Sequence, residues 1–228
     1  ASEYRPKSFN DMIGQDAIVK TLNNAIKNDN IPQALLFCGP RGVGKTSCAR
    51  ILAKTINNLE DDFEYNIFEL DAASNNSVED IRNITDQIRI PPQTGRYKVY
   101  IIDEVHMLSN QAFNAFLKSL EEPPEHVVFI LATTEKNKIL PTILSRCQIY
   151  DFKKVDNESI IKLLSKICKE KKVKYEDGSL SLIAERSDGS IRDSLSIFDR
   201  LVSFTDSNLT ISEVTSNLNV LDFNTYFK

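Results

Sequence analysis

No run of the sequence is long and apolar enough to cross a membrane, and its first residues carry no secretory signal pattern. The cytoplasm is therefore the expected compartment. Positive charge is not in excess: 28 Lys and Arg stand against 32 Asp and Glu, a formal net charge of −4. A dedicated nucleic-acid module is usually basic, so any contact with DNA should be local or shared with other chains. Histidine is scarce, with His106 and His126 set apart. The cysteines Cys38, Cys48, Cys147 and Cys168 form no C-x-x-C pair. That spacing argues against a zinc site, and the thiols read as small buried hydrophobes in a reducing compartment. The sequence also lacks internal repeats and low-complexity tracts.

What is present is ordinary for a globular protein. The 228 residues are 41% hydrophobic and 26% charged, enough for a real core in one large or two small domains. The most informative stretch is Gly39-Pro40-Arg41-Gly42-Val43-Gly44-Lys45-Thr46, of the form G-x-x-x-x-G-K-T. An apolar run, Ala34-Leu35-Leu36-Phe37-Cys38, precedes it, and helical spacing follows from 45 to about 54. That strand–loop–helix context marks a phosphate-binding P-loop. Glycines let the backbone approach phosphates closely, and N–H groups at a helix start favour anions. Lys45 is the expected charge on the β- and γ-phosphates and Thr46 the expected hydroxyl on Mg²⁺, with Ser47 completing the set. ATP and Mg²⁺ are the expected ligands.

Before the loop, Tyr4-Arg5-Pro6-Lys7-Ser8-Phe9 leads to Met12-Ile13-Gly14-Gln15. It reads either as a surface arm or as a cover for base and ribose. On the second reading Tyr4, Arg5, Pro6 and Ile13 touch nucleotide. Helical spacing covers 16–28. After the P-loop helix, an acidic connection (59–64) leads to a strand over 66–70 and a polar loop, Asp71-Ala72-Ala73-Ser74-Asn75-Asn76-Ser77. Ser77 and Asp80 fit a capping box for a helix over 78–88. Lys98-Val99-Tyr100-Ile101-Ile102 is a buried strand with Asp103-Glu104 at its C-terminal end, the edge where parallel sheets gather ligands. Asp103 would hold Mg²⁺, partly through water, and Glu104 would orient or deprotonate the attacking water. A helix over 109–121 and a strand over 127–131 follow, ending in Ala132-Thr133-Thr134. Those hydroxyls either cap the next turn or hold the nucleophilic water. A short helical turn (141–146) and a strand (148–152) come next. Strand and helix alternate to about 153, as in a largely parallel α/β sheet. From 157 onward the spacing is helical throughout, with one more short helix over 211–217.

Five further stretches carry a resemblance: Tyr4-Arg5-Pro6, Asp71-Ala72-Ala73-Ser74, Asp103-Glu104-Val105-His106-Met107-Leu108, Leu120-Glu121-Glu122-Pro123-Pro124 and Leu144-Ser145-Arg146-Cys147. With the P-loop they resemble the gamma/tau clamp-loader subunits of bacterial DNA polymerase III, within the AAA+ ATPases. The resemblance implies a P-loop AAA+ sheet domain with helices on both faces (1–153), an all-α helical lid (154–217) and the start of a truncated collar domain (218–228). It implies ATP hydrolysis that loads a sliding clamp onto primed DNA during replication. It also implies a hetero-pentamer with other clamp-loader subunits, sequence-independent contact with primer–template DNA, and a fragment that is monomeric and slow on its own. Thr134 matches the sensor 1 position and Arg192 the sensor 2 position of the lid. Arg146 matches an arginine finger that reaches a neighbour's ATP in trans. On residues alone, Arg146 and Arg192 would be surface ion-pair candidates.

The sequence departs from the family where a four-cysteine zinc module is common: 57–64 has no cysteine, so no zinc is expected. The candidate DNA contact is the helix start over 74–82, where Asn75 and Ser77 are uncharged and Arg82 is the nearest cation. A capped surface helix is the other reading, because Glu79 and Asp80 would repel phosphate. Two rival functions remain: a branch-migration type AAA+ motor, and a non-hydrolysing scaffold that binds ATP.

Overall fold

The computed structural model describes residues 4–58, 66–74 and 78–226; the side chains of Val78, Asp80 and 219–226 are not among those described. The expected acidic connection at 59–64 and the Ser77 cap lie outside the described residues.

Two compact units are present. Among the described residues, one contains 6–40, 44–58, 66–74 and 78–152; the other contains 153–226 together with 4–5 and 41–43. The first is built on a parallel sheet of β1 (Ala34–Cys38), β2 (Ile67–Asp71), β3 (Lys98–Asp103), β4 (Val127–Thr133) and β5 (Gln148–Asp151), in the order β2-β3-β4-β1-β5. Its helices are α1 (Asp16–Lys27), α2 (Lys45–Asn57), α3 (Val78–Ile88), α4 (Asn110–Glu121) and the short α5 (Pro141–Leu144).

The central strands are apolar without a break because they are covered on both faces. On one face Leu36, Cys38, Tyr100, Ile102, Phe129 and Leu131 pack with Ile81 and Ile88 of α3 and with Ala112, Phe116 and Leu120 of α4. Phe116 meets Phe129 edge-on, ring centroids 5.1 Å apart. Alternate residues Leu35, Phe37, Val99, Ile101, Val128 and Ile130 are equally buried and point to the opposite face. There α2 packs against β3 and β4, and Phe37 lies between Tyr150 and Phe152. Each such side chain contributes roughly 1.5–3 kcal/mol by leaving water.

Parallel pairing brings every strand's C-terminal end to one edge. The register sets Asp71 beside Asp103, and Cys38 between Thr133 and Asp151. The order of strands reverses next to β1, so the loop leaving β1 lies at the switch point where such sheets take ligands.

The second unit holds α6 (Asn157–Lys171), α7 (Asp177–Arg186), α8 (Ile191–Phe204) and α9 (Ile211–Tyr226). Asp156 caps α6 by accepting from Ser159 N (2.8 Å), and Ser190 caps α8 by accepting from Asp193 N (3.2 Å). Ile160, Leu164, Ile183, Leu195, Phe198 and Val214 are buried in its core. Two features differ from the sequence reading. A parallel ladder of two residues per strand joins β6 (Lys174–Tyr175) to β7 (Asn208–Leu209). And α9 continues past 217 to Tyr226, where the sequence reading ended a short helix.

Candidate functional site

The P-loop runs from the end of β1 into α2 in the backbone its glycines require. Gly44 occupies the N-cap of α2 at φ 103°, a left-handed conformation that a side chain resists. Gly39 has φ 148°, and a Cβ there would run into the carbonyl of Phe152. The loop is tied down at its start, where Gly39 N–H donates to Thr133 O (3.2 Å). Lys45 is only 6% exposed, and its ammonium donates to the loop carbonyls of Gly39 and Pro40, 2.7 Å each. A buried ammonium held against a glycine-rich loop at a helix start is a fitting environment for phosphate oxygens. Ile13 is half-buried in the same unit, and its neighbour Met12 lies 3.1 Å from where a Gly44 Cβ would be.

The decisive contact crosses from loop to sheet. Thr46 Oγ1 donates to Asp103 Oδ2 at 2.6 Å, joining the start of α2 to the end of β3. This pair presents oxygen donors only, one of them charged, a set that suits a hard divalent cation such as Mg²⁺ with water completing its shell. Asp103 Oδ1 accepts from Glu104 N (3.0 Å). Glu104 itself is left-handed, φ 49°, an uncommon backbone for a residue with a side chain. Its Oε2 accepts from Thr134 Oγ1 (3.0 Å) and Thr134 N (3.3 Å). Thus Lys45, Thr46, Asp103, Glu104 and Thr134, far apart in sequence, meet at one sheet edge.

Several neighbours were not singled out from sequence. His106 lies behind Glu104, with its side chain 5% exposed, Nδ1 at 2.9 Å from Thr133 Oγ1, and Nε2 at 3.4 Å from Glu135 Oε1. Arg50 of α2 makes a two-pronged pair with Glu69 of β2 (2.7 and 2.5 Å), and Glu69 raises the arginine's pKa. A cleft of about 410 Å³ opens beside the loop, lined by Cys38, Gly39, Pro40, Thr134, Lys136 and Asp151 among others. Across it Lys136 Nζ pairs with Asp151 Oδ1 (2.9 Å), which holds the lysine's pKa above its usual value.

The model of a family described as "DNA polymerase III, delta subunit" matches residues 14–67 and 63–156. A second, "DNA polymerase III clamp loader subunit, ATPase lid domain", matches 159–207. The DNA polymerase III subunit tau of Bacillus subtilis is 46% identical over 92% of this chain and 40% of its own length. The subunit tau of Escherichia coli is 42% identical over 97% of this chain and 37% of its own length. The chain belongs to the DNA polymerase III gamma/tau family of clamp-loader subunits. It spans roughly two fifths of the length of these gamma/tau relatives. Among solved structures, the Thermotoga maritima RuvB Holliday junction branch migration motor superposes with a TM-score of 0.76 at 22% identity, over 96% of this chain and 73% of that one. At that identity the likeness shows the fold alone.

The remaining residues expected from the gamma/tau resemblance fall in other elements. Arg146 follows α5 and is half-exposed; it donates to Thr142 O (2.7 Å) and pairs with Glu121 Oε1 (3.0 Å). Arg192 opens α8 in the helical unit, where its N–H donates to Gly42 O (3.3 Å). Tyr4 and Arg5 group with that same unit, and the Tyr4 ring lies under the Lys171 ammonium, 4.8 Å from its centroid. Just before the candidate DNA segment, Asp71 closes a turn by accepting from Ala73 N (2.9 Å); within the segment, Asn75 and Ser77 lie outside the described residues.

Proposed function

We propose that this chain is the ATP-hydrolysing motor of a DNA polymerase III clamp loader. The observation that carries the proposal is the 2.6 Å contact between Thr46 and Asp103, with Glu104 held next to it. A P-loop hydroxyl and a strand-end carboxylate meet there as a site for a phosphate-bound cation requires.

Residues Gly39, Pro40, Arg41, Gly42, Val43, Gly44 and Ser47 would line the triphosphate, with Lys45 on its β- and γ-oxygens. Tyr4, Arg5, Pro6 and Ile13 would face the base and ribose. Mg²⁺, held by Thr46 and Asp103, would neutralise charge that develops on the phosphates. Glu104 would accept a proton from the attacking water as the bond from the γ-phosphorus to its bridging oxygen breaks, giving ADP and phosphate. Thr134, already bonded to Glu104, would keep that carboxylate and the water in line. The resemblance assigns Arg192 to sensor 2 and Arg146 to a finger that acts in trans.

At the level of domains we assign 1–153 to the ATPase and 154–217 to the lid. In a hetero-pentamer of clamp-loader subunits, in the cytoplasm, ATP binding would let the ring hold a sliding clamp and primed DNA, and hydrolysis would release both. The test is the ATPase rate of the reconstituted loader. Stimulation by clamp with primed DNA is expected. Stimulation by a four-way junction without response to clamp would favour a branch-migration motor, and ATP binding without turnover a scaffold.

A further inference from the structure

We infer that His106 is a positioning residue that locks the Glu104 carboxylate and the Thr133–Glu135 turn into one unit. The inference rests on the roles proposed above for Glu104 and Thr134. Right after the left-handed Glu104, the chain turns through a short 3₁₀ segment, Val105–Met107, closed by Met107 N–H on Glu104 O (2.8 Å). Val105 anchors that turn in the core while Met107 faces solvent. The turn folds His106 back over the residue it follows. Its Nδ1 lies 2.9 Å from Thr133 Oγ1 and 3.4 Å from Glu104 Oε2, and its Nε2 lies 3.4 Å from Glu135 Oε1.

Each partner is itself tied to the next. Thr133 Oγ1 accepts from Glu135 N (3.0 Å), Glu104 Oε2 accepts from Thr134 Oγ1 and N, and Lys138 Nζ holds Glu135 Oε2 (2.8 Å). One buried ring therefore touches the residue that acts on water and both neighbours of the sensor threonine. A carboxylate with free rotamers would sample orientations useless for in-line attack; a ring packed on its flank removes them. Because the ring is almost fully buried, leaving its partners without it would unmake several polar contacts at once.

The geometry offers a discriminating set of variants. In His106→Asn the side-chain amide reaches the Nδ1 position and retains the Thr133 and Glu104 contacts. In His106→Gln the amide reaches the Nε2 position and serves Glu135 only. His106→Ala serves neither. In the reconstituted loader we expect His106→Ala and His106→Gln to lower kcat by about 10- to 100-fold. KM and Kd for ATP should stay within about twofold of wild type, since no ground-state contact is removed. His106→Asn should recover most of the lost turnover. Without nucleotide or Mg²⁺, amide hydrogen exchange in the full-length chain should quicken at Thr134 and Glu135 in His106→Ala and return to normal in His106→Asn. Equal losses in all three variants, a loss that follows the melting temperature, or no loss would overturn the inference. Glu104→Gln is measured beside them. Turnover that needs Glu104 but not His106 sinks this inference alone, while turnover indifferent to Glu104 sinks the underlying assignment and this inference with it.

Discussion

At the scale of single residues, burial decides the character of the thiols and polar geometry that of the site. Cys48 is buried in α2, and loss of water pushes its thiol up to about 12; Cys38 and Cys168, also buried, stand at about 11. At pH 8 the Cys48 thiolate is therefore scarce, and alkylation in the folded protein should run on the order of a thousandfold slower than for a free thiol. Denaturation should release it. The same upward shifts mean that the thiols stabilise the fold fully below about pH 8.5, and that this contribution is lost as pH rises toward about 11–12. A melting temperature flat between pH 9 and 11 would contradict that sign. Cys147, half-buried against the core and raised to about 11, fits the expectation of a buried hydrophobe only in part. Lys45, Thr46, Asp103 and Glu104 were legible because their residue types at that spacing follow a strand and open a helix. His106 was not, because its place depends on a left-handed Glu104 and one tight turn, which no periodicity records.

Among the elements, the strands were the most readable, since their unbroken apolar runs match a sheet covered on both faces. Their ends moved by a residue or so: β2 runs Ile67–Asp71 and β4 reaches Thr133. Helix ends moved further. α2 continues beyond about 54 to Asn57, because that asparagine works inside the fold rather than stopping the helix. Asn57 is buried, donates to Ala53 O (3.2 Å) and accepts from Arg96 N (3.0 Å) and Tyr97 N (2.7 Å), tying the helix to the approach of β3. Asn57→Ala leaves two N–H groups without that acceptor, so we expect a loss of about 2–3 kcal/mol in urea unfolding. A loss below about 0.5 kcal/mol would mean water replaces the amide freely. The β6–β7 ladder escaped notice because two residues are too few to display alternation. The length of α9 escaped because the sequence past 217 keeps no clear 3.6-residue apolar period.

For the whole molecule, a sheet unit is distinguished from a mainly helical unit, which takes Tyr4, Arg5 and residues 41–43 besides the described residues from 153 onward. What a single chain's sequence could not place is the partner of Arg146. In this chain it pairs with Glu121 on a half-exposed surface, an interaction worth about 0–1 kcal/mol. That is little against the roughly 10³–10⁵ in rate available to an arginine finger, so the pair would yield readily to a neighbour's nucleotide. Arg146→Ala in the assembled loader should spare ATP binding and remove nearly all turnover at the adjoining site; unchanged turnover would exclude the trans role. The proposed catalysis at this chain's own site depends on the meeting of Thr46, Asp103 and Glu104. It is tested most directly by single-turnover ATP hydrolysis in a reconstituted loader carrying Glu104→Gln in this subunit alone. ATP should bind as tightly as in wild type, with cleavage at this subunit's sites slowed by about 10²–10⁴; cleavage at the wild-type rate would exclude Glu104 from the chemistry.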